Sequence, residues 1–261
     1  MKITSLTAVL LAFSVFFVSC SREKSSDASK AQLKVFLTDD PAAYGSVVID
    51  VRDVQINVTG DSTNGWQSLS SVAAGRYDLL SLVNDDDTLL ANSDIPSGRL
   101  EQMRLVLGPN NFIVVDGTTY PLETPSAQQS GLKLNIHQDV TAGVLYTITL
   151  DFDAARSIVK TGNNRYILKP VIRTTFNAAG GSIKGVVSPN SFSTLIYAIK
   201  GTDSVSTYTD ATGGYLVRGL PAGTYTLRFI PGDTTYVSET RTGVNVTVGN
   251  VTTVDTVHLH H

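Results

Sequence analysis

The chain is expected to be mainly β: two β-sandwich-like domains in tandem, the N-terminal one with a short helix. Three observations predict this. Apolar and polar residues alternate along many short segments, the period of a half-buried strand. Val, Thr, Tyr and Gly are abundant, whereas 3.6-residue helical patterning is scarce. Turn pairs such as Asn64-Gly65, Asp116-Gly117 and Gly213-Gly214 punctuate the segments.

The first 19 residues read as an export signal. Lys2 is followed by a 13-residue apolar run, Leu6 to Val18, broken only by Thr7 and Ser14. That matches a secretory h-region and is shorter than the roughly 20 residues needed to span a bilayer. The run ends at Cys20, the only cysteine among 261 residues. A lone cysteine cannot form an intramolecular disulfide, and a free thiol is a liability in an oxidising compartment. Phe17-Val18-Ser19-Cys20 resembles the bacterial lipobox, in which the cysteine is lipidated and becomes the new N-terminus. Two or more acyl chains anchor a protein stably without a transmembrane helix. Residues 20–31 then form the lipidated cysteine and a Ser-rich, charged tether. Ser21, rather than Asp, favours the outer membrane.

Residues 32–176 are expected to form the first domain. Leu33, Val35 and Leu37 alternate in a strand ending at Asp39-Asp40-Pro41. Val47, Ile49 and Val51 follow, and the apolar phase slips before Val54, so a bulge is expected at Arg52-Asp53. Asn110 to Leu122 reads as a hairpin turning at Asp116-Gly117. Tyr146, Ile148, Leu150 and Phe152 form one strand face. Residues 153–160 suggest a short helix capped by Asp153.

Patterning lapses near Phe176–Gly181, and the second domain spans 177–261. Tyr225, Leu227 and Phe229 share a strand face, as do Val244, Val246 and Val248, and Val257 and Leu259. Tyr215 and Tyr225 are expected on inward faces.

Two family resemblances follow. Thr209-Asp210, Gly213-Gly214-Tyr215, Leu220-Pro221-Ala222-Gly223 and Tyr225-Thr226-Leu227, with the opening Gly181-Ser182-Ile183-Lys184-Gly185-Val186-Val187, resemble the carboxypeptidase regulatory-like, transthyretin-type sandwich. That resemblance implies a non-catalytic module whose shape is like that of starch-binding folds. The first domain resembles the bacterial lipoprotein domain of unknown function 4382. The blocks that carry this are Leu37–Pro41, Asp78–Leu82, Arg104–Gly108, Ser130–Leu134, Leu150–Val159 and Leu168–Arg173. It implies a lipoprotein context and no activity.

The side chains offer little chemistry. His137 alternates away from the face of Leu134 and Ile136, so it reads as a surface residue. His258, His260 and His261 end the chain, and the first two share a spacing that a metal could use. No Gly-x-Ser-x-Gly or His-Glu-x-x-His motif is present. Asp85, Asp86 and Asp87 form an acidic run without calcium-loop spacing and read as a solvated turn. Asp151 and Asp153 could be paired carboxylates, although Asp153 also suits a helix cap. Trp66 is a weak candidate for stacking on sugars. Losing Lys2 with the leader leaves 19 basic against 23 acidic side chains, net −4, which argues against nucleic acid as a partner. No cofactor or metal is expected. The leading expectation is an exported, lipid-anchored, non-catalytic binding or scaffolding protein of the bacterial envelope, partnered by the membrane and by a glycan or envelope protein. A carbohydrate-binding lipoprotein and an uncharacterised hydrolase are the alternatives.

Overall fold

The computed structural model describes residues 29–61, 63–83, 86–124 and 130–261. Its strands in the first half are β1 (Lys30–Asp39), β2 (Ser46–Asn57), β3 (Trp66–Ser68), β4 (Gly75–Asp78), β5 (Thr88–Pro96), β6 (Gly98–Leu107), β7 (Phe112–Val115), β8 (Thr118–Glu123), β9 (Leu132–Val140) and β10 (Leu145–Phe152). Then come α1 (Ala154–Ser157), β11 (Ile158–Lys160), β12 (Tyr166–Leu168) and β13 (Ile172–Ala178). Strands β14 (Gly181–Ser188), β15 (Thr194–Lys200), β16 (Asp203–Tyr208), β17 (Gly214–Leu220), β18 (Gly223–Pro231), β19 (Glu239–Val246), β20 (Val251–Thr253) and β21 (Val257–His258) complete the chain.

The first thirteen strands make two packed sheets. One has the order β13-β10-β1-β5; the other runs β11-β12-β8-β7-β2-β6-β9, with β3 and β4 also paired to β2. Strand β1 shows why they stack. Leu33, Val35 and Leu37 are fully buried, while Lys34, Phe36 and Thr38 between them are half-exposed. A pleated strand sends these two sets to opposite faces, so the apolar set must meet another sheet. It meets Val47, Ile49, Val54 and Ile56 of β2 in one continuous apolar core. The β2 register shifts between Val51 and Asp53 against β6, which places the expected bulge. The extra residue lets Val54 and Ile56 return to the core face. The hairpin turns at Asp116 and Gly117, both with positive φ (49° and 76°). That geometry suits the right-handed twist of the flanking strands.

The second core lies between sheets β17-β14-β20 (with β21 on β14) and β16-β15-β18-β19. Tyr215, Tyr225, Leu227 and Phe229 are buried there as expected, and Tyr215 meets Phe229 edge-on at 5.6 Å. The two domains touch. Val251 of β20 packs against the first core, and the Ser182 hydroxyl donates to the Gly143 carbonyl at 2.6 Å. Only Ala179 and Gly180 separate β13 from β14.

Two local expectations are corrected. The helix starts at its Asp153 cap, whose carboxylate accepts from Arg156 N–H at 2.9 Å, but it stops at Ser157. Residues 158–160 form β11 on β12 instead. Ile158 and Val159 are β-branched, and pairing with β12 outweighs their weak helical propensity. Val248 does not join Val244 and Val246 on the inward face. β19 ends at Val246, the chain turns through Thr247–Asn250, and Val248 is 48% exposed.

Candidate functional site

Cys20 and Asp85 lie outside the described residues. Asp86 and Asp87 are exposed and precede β5; the Asp86 carbonyl accepts from the Thr38 hydroxyl at 3.0 Å. Trp66 opens β3 directly after the Asn64-Gly65 turn and is half-buried on the outer face of β2 and β6. The Arg104 guanidinium carbon sits 4.4 Å from the ring centroid and the Lys133 ammonium 5.8 Å. Arg104 is itself held by Gln55. One face of the indole is therefore occupied by a cation. Trp66→Ala is expected to cost about 1 kcal/mol through this contact, read as a lower urea midpoint at unchanged slope. A midpoint equal to that of the parent chain would show that the contact contributes nothing.

The histidines do not converge. His137, at φ 51°, faces Glu101 at 2.7 Å. His260 pairs with Glu239 at 3.1 Å, while His261 stacks on Tyr236 at 4.1 Å and meets the Thr235 carbonyl. Among the described residues, no three His, Cys, Asp or Glu side chains are grouped so as to hold a metal ion.

Asp151 and Asp153 line a small cleft of about 260 Å³ with Asp40, Arg156 and Arg173. Arg173 pairs with Asp151 at 2.8 Å and with Asp40 at 3.5 Å. Asp153 caps α1 and pairs with Arg156 at 3.7 Å. Each carboxylate that suggested acid–base work is thus held by an arginine or a helix end.

A larger groove, about 700 Å³, lies on the second domain. Its floor is the outer face of β14 and β17: Lys184, Val186, Leu216 and Arg218. Tyr208 of β16, 64% exposed, stands at one wall, and residues 253–256 stand at the other. Tyr215 enters from the core side. Its ring passes so close to Gly185 that a Cβ there would lie 2.6 Å from the hydroxyl. That buried hydroxyl has no hydrogen-bond partner, nor do Arg218 Nε and Nη2. Arg218 reaches Asp94 of β5 through Nη1, at 3.5 Å. Burial pushes the Tyr215 phenol pKa well above its ordinary value.

The sequence model of a family described as "Domain of unknown function (DUF4382)" matches residues 30–170. The chain belongs to this family. No curated protein matches it. Among solved structures it is similar to a type II cohesin-X-dockerin complex from Acetivibrio cellulolyticus. That pair shares 18% identity at a TM-score of 0.25, over 31% of this chain and 57% of the other. It is also similar to the Bacillus anthracis TIE protein, at 15% identity and a TM-score of 0.23, over 88% of this chain and 34% of the other. A minor pilin of Streptococcus agalactiae shows 10% identity and a TM-score of 0.23, over 87% and 94%. The chain spans less than two thirds of the first two.

Four segments that carry the DUF4382 resemblance meet at one point of the fold. β1 lies parallel to β10, so Thr38 aligns with Asp151 and Asp39 with Phe152. Asp39 N–H and the Thr38 hydroxyl both donate to the Leu82 carbonyl. Ala154 N–H donates to Asp39 Oδ1 at 2.9 Å. Ser157 is fully buried; its hydroxyl accepts from Val171 N–H and its carbonyl from Lys169 N–H. The DUF4382 motifs thus form a hydrogen-bonded joint between strand ends. Asp39 is 5% exposed and its Oδ2 has no partner. Alternation along β1 places it inward, where an Asp is unexpected, but the turn signal Asp39-Asp40-Pro41 reads as the end of the strand and hides it. Arg218 and Tyr215 are likewise invisible as a pair, since one faces out of β17 and the other in.

Proposed function

We propose that this chain is a non-catalytic binding module held at the bacterial cell envelope by a lipid on Cys20. In this reading residues 1–19 are removed and 20–31 tether the protein to the outer membrane. The DUF4382 domain (32–176) supports a carboxypeptidase regulatory-like sandwich (177–261) that carries the binding surface. The observation that carries the reading is the groove on β14 and β17. Its volume is in the ~300–1,000 Å³ range of small-ligand sites, and the exposed side chains of Lys184 and Tyr208 line it. A sheet face presents such groups rigidly, which lowers the ordering cost of binding. A dedicated carbohydrate-binding role is the second reading, favoured by the exposed ring of Tyr208 beside the groove.

Two experiments test the proposal. Cys20→Ala is expected to shift the protein from the detergent phase to the aqueous phase and to stop lipoprotein-type processing; unchanged partitioning sinks the anchor. A glycan and envelope-protein array probed with the chain is expected to give saturable binding, and a hydrolase panel no turnover. Turnover that disappears in Asp151→Asn would replace the binding module with an enzyme.

A further inference from the structure

We infer that the free edge of β16 pairs with β16 of a second copy of this chain, antiparallel about a two-fold axis, so that the sheet β16-β15-β18-β19 runs on through both copies. The inference stands apart from the groove reading, although Tyr208 belongs to both surfaces.

β16 ends its sheet and pairs only with β15. The hydrogen bonds of β15 show which backbone groups of β16 are left over. Gly232 N–H donates to the Ser193 carbonyl and continues the ladder to β18. Thr209 N–H donates to the Thr194 carbonyl and continues the ladder to β16. In an antiparallel pair such bonds recur at every second residue. Asp203, Val205 and Thr207 therefore spend their backbone groups on β15. The N–H and C=O groups of Ser204, Ser206 and Tyr208 point the other way, and among the described residues no backbone group meets them. Every residue of β16 except Thr207 is exposed.

The other long edges carry devices that discourage strand addition. β5 is covered, because Ala73 N–H donates to the Leu90 carbonyl and Asn92 N–H to the Ser71 carbonyl. β9 is interrupted by His137 at φ 51°, β17 by Gly219 at φ 72° and β19 by Gly243 at φ 75°. β13 bears Arg173. β16 has no such device. Its register with β15 is unbroken, it contains no Pro, Gly, Lys or Arg, and its one charge is Asp203 at the first position.

The side chains of β16 select a second copy as the occupant. With Ser206 on the two-fold axis, Ser204 faces Tyr208 of the other copy and Ser206 faces its own equivalent. Each of these pairs exchanges both backbone bonds, so all three outward residues are satisfied in both copies. Asp203 falls opposite Thr209, and no like charges meet. Val205 falls opposite Thr207 of the other copy, which accounts for its odd position. It stands across from the buried Ala198 of β15, on the core side of the sheet, yet it is 42% exposed and is not among the side chains of the second core. Thr207 of the second copy gives it a β-branched cross-strand neighbour, the kind of contact that stabilises sheets. The edge is its own complement, as a two-fold interface requires.

The test is sedimentation equilibrium of the full-length chain in density-matched mild detergent, under reducing conditions that keep Cys20 from cross-linking two copies. An interface of one strand edge is small, and small interfaces bind weakly. The parent chain is therefore expected to pass from one copy toward two between about 1 μM and about 1 mM. Amide exchange read by mass spectrometry is expected to slow over residues 203–208 across the same interval. Ser206→Pro is expected to stay a single copy throughout. The N–H it loses points outward, so the ladder to β15 survives, and the variant is expected to melt close to the parent chain. Ser206→Lys sets two ammonium groups face to face and is expected to weaken association at least about tenfold, less so at high salt. A dimer that survives Ser206→Pro would show that the copies meet elsewhere and would overturn the inference. A parent chain that stays a single copy up to about 1 mM would also overturn it, and would leave the β16 edge to a strand of another protein.

Discussion

Leu227→Asp is expected to abolish cooperative folding of the second sandwich. Leu227 is fully buried in β18, where its neighbours are Ala198 of β15 and Arg241 of β19. Its side chain enters the core that Ile183, Ile196, Val217, Phe229 and Val257 share. The substitution removes a leucine's burial, worth about 1.5–3 kcal/mol, and adds a carboxylate with no partner. The combined loss exceeds about 4 kcal/mol, a large part of the stability of a domain this size. Thermal unfolding followed by circular dichroism is expected to show residues 181–259 already unfolded at 25 °C. The control is Arg228→Asp, one residue on, exposed on the opposite face; its cost stays within about 0.5 kcal/mol. Equal melting of both variants would show that the inward phase of β18 is wrong.

That phase is legible in the amino-acid sequence alone, because alternation is a local property. Tyr225, Leu227 and Phe229 announce their common face within five residues. The bulge at Arg52-Asp53 is legible for the same reason: a slipped period is visible on either side of the slip. Strand order is different. β1 pairs with β10 across more than a hundred residues, and nothing near Leu33 names that partner. Without it, the meeting of Asp39 with Ala154, or of Asp40 with Arg173, has no local signal. The same holds for the groove. Lys184 and Arg218 are ordinary cations in sequence, and only the β14–β17 register makes them neighbours. Val248 departs from its pattern for the opposite reason. Its alternation with Val246 is genuine, but the turn after Val246 ends the strand first.

The joint of strand ends around Asp39 sets a pH dependence. Asp39 is buried, and this pushes its carboxyl up to about 7 from an ordinary 3.8; the nearby Asp40 and Asp153 charges add to the rise, and the Ala154 N–H bond only partly offsets it. Oδ1 accepts that bond, while Oδ2 has no partner, an arrangement that suits a protonated oxygen. The cations close by are already engaged: Arg173 with Asp151 and Asp40, Arg156 with Asp153. The folded chain therefore holds the Asp39 proton more tightly than the unfolded chain does. Where folded protein binds more protons than unfolded, stability falls as pH rises. The contribution is fully present below about pH 4, declines between about 4 and about 7, and is absent above. A shift of this size corresponds to at most about 4 kcal/mol. Asp39→Asn keeps an oxygen for Ala154 N–H and removes the ionisation. Its melting temperature is expected to exceed that of the parent chain at about pH 8 and to match it at about pH 4, so the difference between the two curves rises across the interval. Asp40→Asn, which removes an exposed neighbouring charge, is expected to give a much smaller gain. Parallel curves for Asp39→Asn and the parent chain across that interval would mean that Asp39 stays ionised in the fold, and that its buried Oδ2 finds a partner other than a proton.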